Sequence, residues 1–138
     1  MFAATSDIPK LGEITHEARR FYDARFTRCG EVLAFLKMDR TSIPEEDFLD
    51  IRVKQQDALE ERLGKLGIGK VYGGGTGLQY AYVELILTDV ERAAKEIRSL
   101  LQELNVSRRS WLLFHDTSLY YEWIGIWDDT REPPGLES

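Results

Sequence analysis

Two deficits frame this sequence. Among its 138 residues there is one cysteine, Cys29, and there are only two histidines, His16 and His115. A lone thiol cannot close a disulfide within the chain, and ligands so far apart lack the local spacing of a zinc site. No metal and no cofactor is therefore expected. Long hydrophobic runs are missing as well. The longest purely apolar stretch is Val32 to Leu36, whereas a bilayer-spanning helix needs roughly 20 such residues. Residues 1–10 hold no apolar run behind a basic stretch, so a secretory signal is not expected. These features favour a reducing cytoplasm and argue against a membrane. An excess of cations is absent too. The net charge is −6, which argues against a nucleic-acid binder, since phosphate contacts need clustered Lys and Arg, so no nucleic acid is expected as a partner.

What the chain has is enough apolar content, 43%, to build a core, with 30% charged residues to keep it soluble. Its length suits one domain. The expected organisation is a loose N-terminal arm over 1–11, a single α+β domain over 12–127 and an acidic flexible tail over 128–138. Charge is uneven along the chain. Residues 116–138 carry Asp116, Glu122, Asp128, Asp129, Glu132 and Glu137 against Arg131 alone. Such an end is either a solvated surface or a docking surface for a basic partner.

Periodicity supplies the elements. Ile14, Ala18, Phe21 and Phe26 fall near helical spacing over Gly12 to Arg28, although Arg20 to Thr27 also suits an edge strand. Glu31 to Met38 reads as a strand apolar on both faces. Ser42-Ile43-Pro44-Glu45 has the form of a capping box that opens a helix running to Leu63 and stopping at Gly64. Ile68 to Tyr72 is a short strand, and the glycines from Gly73 to Gly77 suit a hairpin turn. Leu78 to Leu87 alternates, with Ala81, Val83, Leu85 and Leu87 on one side and Tyr80, Tyr82, Glu84 and Ile86 on the other. Thr88 and Glu91 form a second capping box. Val90, Ala93, Ala94, Ile97, Leu100, Leu101 and Leu104 stripe the helix that follows, with Asn105 past its end. Ser110 to Asp116 and Leu119 to Trp127 close the domain as two strands. The β-α-β-β-α-β order is the split βαβ arrangement. The expected fold is thus an α+β, ferredoxin-like two-layer sandwich with an extra C-terminal edge strand and an N-terminal helix.

Searches for chemistry give little. The glycine segment is no phosphate loop, because Gly69-Lys70 is followed by Val71 rather than a hydroxyl residue and the glycines lead into a strand rather than a helix. His115 could approach Glu84 or Glu122 across the sheet and serve as a general base, or be a half-exposed strand histidine. Glu84 and Glu122 could pair as glycosidase acids do, or simply keep a strand face wet. Cys29 beside a helix end is a buried thiol rather than a nucleophile. No catalytic residue is assigned.

The aromatic residues are more informative. Tyr80 and Tyr82 face away from the aliphatic set of their strand. In the last strand Tyr121, Trp123 and Trp127 share one face, while Glu122 lies on the other. A sandwich of this kind has helices on one sheet face only, so rings on the other face need cover from the N-terminal segment, a second copy or a partner. Tyr and Trp suit interfaces because they combine area with a polar tip. The candidate binding residues are Tyr80, Tyr82, Glu84, Trp111, Tyr121, Glu122, Trp123, Trp127, Asp128 and Asp129. The stretch Gly73 to Leu104, with its glycine turn, alternating strand, Thr88-Asp89 and striped helix, resembles a pattern in small bacterial proteins of the ferredoxin-like kind. The resemblance covers about a quarter of the chain and carries over no functional residue.

The function expected from these features is non-catalytic protein binding, in concrete form a bacterial or phage inhibitory or immunity protein that covers a basic partner. A small-molecule sensor or small enzyme with a pocket on the open sheet face, using Tyr80, Tyr82, Trp123 and His115, is one alternative. A homodimer that pairs its sheets is another.

Overall fold

The computed structural model describes residues 31–115 and 122–134. The readings placed on residues 1–30, on Tyr121 and the start of the last strand, and on residues 135–138 lie outside the described residues. The elements are β1 (Val32–Asp39), α1 (Glu45–Leu66), β2 (Gly69–Thr76), β3 (Tyr80–Leu87), α2 (Val90–Glu103), β4 (Ser110–Phe114) and β5 (Trp123–Gly125). They form an α+β architecture. The five strands make one sheet in the order β2-β3-β1-β4-β5, with every neighbouring pair antiparallel. Helix α1 carries the chain from β1 to β2, and the hairpin brings β3 back into the gap between them. Helix α2 then carries the chain across to the far side of β1.

Alternation decides which side of each strand meets the helices. Val32, Ala34, Leu36 and Met38 of β1, Val83, Leu85 and Leu87 of β3, and Leu112 and Ile124 of β4 and β5 join one buried cluster. Leu59 and Leu63 of α1 and the Val90, Ala93, Ala94, Ile97, Leu101 stripe of α2 complete it. Each fully covered aliphatic side chain stabilises the fold by about 1.5–3 kcal/mol. The two helices contribute unequally. Helix α2 buries six residues at the expected spacing, whereas the longer α1 buries only Phe48, Gln55, Leu59 and Leu63.

Several local expectations are corrected. The Ser42 capping box does not form, because Pro44 stays extended (ψ 141°) and α1 begins only at Glu45. Its three first-turn acids, Glu45, Glu46 and Asp47, complement the positive helix end instead. The helix runs through Gly64 and stops at Gly67, whose φ of 69° is the left-handed conformation that glycine adopts without strain. There the amides of Gly67 and Ile68 bond back to Gly64 O and Leu63 O, both at 3.1 Å, which satisfies the last carbonyls. Gly73, Gly74 and Gly75 belong to β2 rather than to the turn, and the ladder slips at Tyr72. Asp89, not Thr88, caps α2, its carboxylate accepting from the Arg92 amide at 3.2 Å. Thr88 instead donates its hydroxyl to Gly67 O at 3.4 Å. Asn105 takes the expected place past α2, with φ 55°.

Among the described residues no helix is long and apolar enough to cross a membrane.

Candidate functional site on the open sheet face

The residues that alternate with the core set form the second face of the sheet. Strand register brings them together in rows. Asp39 is opposite Tyr80; Lys37 lies between Tyr82 and Trp111; Phe35 lies between Glu84 and Leu113; Leu33 is opposite Ile86. Beyond β4, the His115 amide bonds to Leu33 O at 3.0 Å and continues this row.

This face has two unlike halves. On β4 and β5, Trp111, Leu113 and Trp123 form a small second cluster at 1, 6 and 7% exposure, with Phe35 and Tyr80 against it. The Trp111 indole N–H donates to Arg131 O at 2.5 Å, and Pro133 is buried. The segment read from sequence as an acidic tail therefore contributes to covering this half. On β1, β3 and β2 the surface is open, with Leu33 45% and Tyr72 49% exposed beside half-buried Phe35, Tyr82 and Ile86.

Polar groups are set into both ends of the face. At one end Asp39 is buried. Its Oδ2 accepts from Arg109 Nε at 3.0 Å, and its Oδ1 accepts from the Thr41 amide at 2.8 Å and the Thr41 hydroxyl at 2.6 Å. Burial alone would raise the Asp39 pKa, but the bonds from Thr41 and Arg109 outweigh it and hold the carboxyl below its ordinary range. Arg109 also donates to the Tyr80 hydroxyl at 2.8 Å, and Lys37 lies 4.4 Å over the Tyr80 ring. Lys37 has its pKa lowered, first by burial and then by repulsion from Arg109.

At the other end, His115 Nε2 is 2.9 Å from Glu84 Oε1, and the Tyr72 hydroxyl donates to the same oxygen at 3.2 Å. The imidazole stacks on Phe35 with ring centres 4.6 Å apart. The Tyr72 pKa is raised, first by desolvation and then by the Glu84 carboxylate, so its hydroxyl is kept as a donor. Chemically, Glu84 fixes the orientation of His115 as a general base would require. Among the described residues no Ser or Cys is bonded to this histidine, and no group of three or more His, Cys, Asp or Glu could hold a metal ion.

The structure sorts the residues singled out from sequence. Tyr80, Tyr82, Glu84, Trp111 and Trp123 all lie on the side turned away from the helices, but Trp111 and Trp123 are buried in its covered half and offer no binding surface, and His115 does reach Glu84. Tyr121 lies outside the described residues. Glu122 is buried ahead of β5, three strand spacings or about 14 Å from the strand of Glu84, too far for a pair of acting carboxylates. Trp127 leaves the Trp123 face. After Gly125 the chain is drawn toward α2, where Arg98 Nε donates to Gly125 O at 2.9 Å and Gln102 Nε2 to Ile126 O at 2.7 Å. Trp127 thus packs on the helix-side core, bonds through Nε1 to Val106 O and lies beneath Arg108 at 3.9 Å. Asp128 bonds to Arg98 at 2.7 Å and Asp129 lies 3.7 Å from Arg108, so these acids are matched within the chain.

Phe35, Lys37, Asp39, Tyr72 and Arg109 belong to the face and were not picked out from sequence. The alternation that would reveal Phe35 is hidden in β1 by five consecutive apolar residues.

The chain matches no protein-family model, no curated protein and no solved structure.

Proposed function

We propose that this protein is a non-catalytic binding module that docks another protein on the exposed half of its sheet, around Tyr72, Tyr82, Phe35 and Leu33. The observation that carries this reading is the contrast within one face. Trp111, Leu113 and Trp123 are covered, while Leu33 and Tyr72 remain nearly half exposed beside a preset Glu84–His115 pair. Contiguous apolar surface with a polar centre is the anatomy of a recognition patch. The net charge of −6 adds long-range attraction for a basic partner, as an inhibitory or immunity-type protein of bacterial or phage origin would use. In fold terms the proposal is a ferredoxin-like sandwich with β5 as an added edge. Its support is the order β4-β1-β3-β2 with both helices on one face.

The test is affinity capture from the native host with the wild-type chain and a Tyr72→Ala/Tyr82→Ala variant. A partner captured by the wild type, released as salt rises and lost in the variant is the expected result. Capture unchanged in the variant places docking elsewhere. A dimer detected by light scattering, abolished by the same substitutions, reassigns the patch to self-pairing.

A further inference from the structure

A second site lies on the opposite layer. At one end of the helix layer, a cavity of about 510 Å³ opens between the first turns of α1, the end of β1 and the segment following α2. That volume is within the range of small-molecule sites. Its apolar lining includes Met38, Phe48, Ile51, Ala81 and Val106.

The polar lining is cationic. Arg40 lies over the Phe48 ring at 4.2 Å and is committed to the fold. It donates to Gly77 O and Leu78 O at 3.2 and 2.7 Å and pairs with Glu45 at 3.1 Å. Its Nε is nevertheless buried without an acceptor, and so is Nε of Arg52. Among the described residues neither Arg52 nor Lys54, which also lines the cavity, has a carboxylate partner. The two acids in the lining are already engaged, Asp39 by Arg109 and Glu103 by Arg62 at 3.6 Å. With an apolar wall and two cations that have no carboxylate partner among the described residues, the cavity suits an anion that carries an apolar body.

We infer that this cavity binds a small organic anion with an apolar body, its hydrocarbon part on Met38, Phe48 and Ile51 and its anionic oxygens on Arg52 and Lys54. Carboxylates, sulfonates and phosphate esters share the needed chemistry. The site touches the open sheet face only through Asp39, and its apolar and cationic lining is remote from Tyr72 and Tyr82, so its fate does not depend on protein docking there.

Octanoate and 1-octanol, titrated separately into the full chain by calorimetry, test the charge requirement. The expected result is octanoate binding about tenfold tighter than 1-octanol, in line with charge-assisted hydrogen bonds. Arg52→Gln and, independently, Lys54→Gln should each lower octanoate affinity severalfold and leave 1-octanol unchanged. Amide shifts should centre on residues 38–55 and 103–107. Equal affinity for the two probes, no binding of octanoate, or shifts centred on Tyr72 and Tyr82 would each overturn the assignment.

Discussion

The two sides of this sheet share the same strands and differ in almost everything else. Toward the helices β1 and β3 present only aliphatic side chains and Met38, packed without charge. Away from them the same strands present Phe35, Lys37, Asp39, Tyr80, Tyr82 and Glu84, with Asp39 and Tyr80 hydrogen-bonded to Arg109 and Glu84 to His115. A side sealed by helices needs only volume and shape. A side that meets solvent needs its polar groups matched, and it can leave some apolar surface for something else.

Substitutions three residues apart on β1, and so on opposite faces, can break that contrast. The largest effect is expected at Leu36, fully buried under the helices. Leu36→Ala should cost about 3 kcal/mol in urea denaturation, against less than about 0.5 kcal/mol for Leu33→Ala on the other side of the same strand. Similar costs for the two would mean that the open side is covered after all. Next is Trp111→Phe, which removes the indole bond to Arg131 O. A loss of about 2 kcal/mol, with faster proteolysis near residue 131, is expected. A neutral result would deny that the β4–β5 half is a second core.

Asp39→Asn sharpens the contrast in charge. It weakens the bonds from Arg109 and Thr41 and should cost about 1–2 kcal/mol at neutral pH. Because the folded carboxyl has a lowered pKa, the stability it confers is complete above the ordinary carboxylate pKa of about 4 and is lost as pH falls through the folded value. The gap between wild type and variant should therefore narrow toward acid pH, as read from denaturation midpoints. A constant gap would mean that the charge is not what matters. Smallest is Tyr72→Phe, with a change below about 0.5 kcal/mol, since its bond to Glu84 is solvent-exposed. A large loss there would turn the recognition patch into structure.

Local patterns were readable in the sequence where one period ruled. The Val90 to Leu101 stripe and the strict alternation of Tyr80 to Leu87 both reappear residue for residue in the burial. Other features depended on tertiary geometry. Val32 to Leu36 hid its two faces, because an apolar residue suits a core and a bare patch alike. Which glycine ends α1 was settled by where β2 must begin, and Gly64 stays helical at a cost of about 1 kcal/mol. The polar pairs were legible unevenly. The approach of His115 to Glu84 or Glu122 was open in the sequence, and strand order selects Glu84, across the intervening β1. Arg109 meets Asp39 across 70 residues, a pairing that no local pattern contains. Acid content in the last residues was visible, but the matching of Asp128 and Asp129 by Arg98 and Arg108 was not.

The slip at Tyr72 has one more consequence. In the described sheet β2 is a border strand, and a foreign strand laid along it would fall out of step where the ladder shifts between Val71 and Gly73. Past that point Gly73, Gly74 and Gly75 offer no side chains to interlock in a dry zipper. This border is therefore a poor template for an added strand, and the glycine run that looks like a turn in the sequence is what leaves it without an interlocking surface.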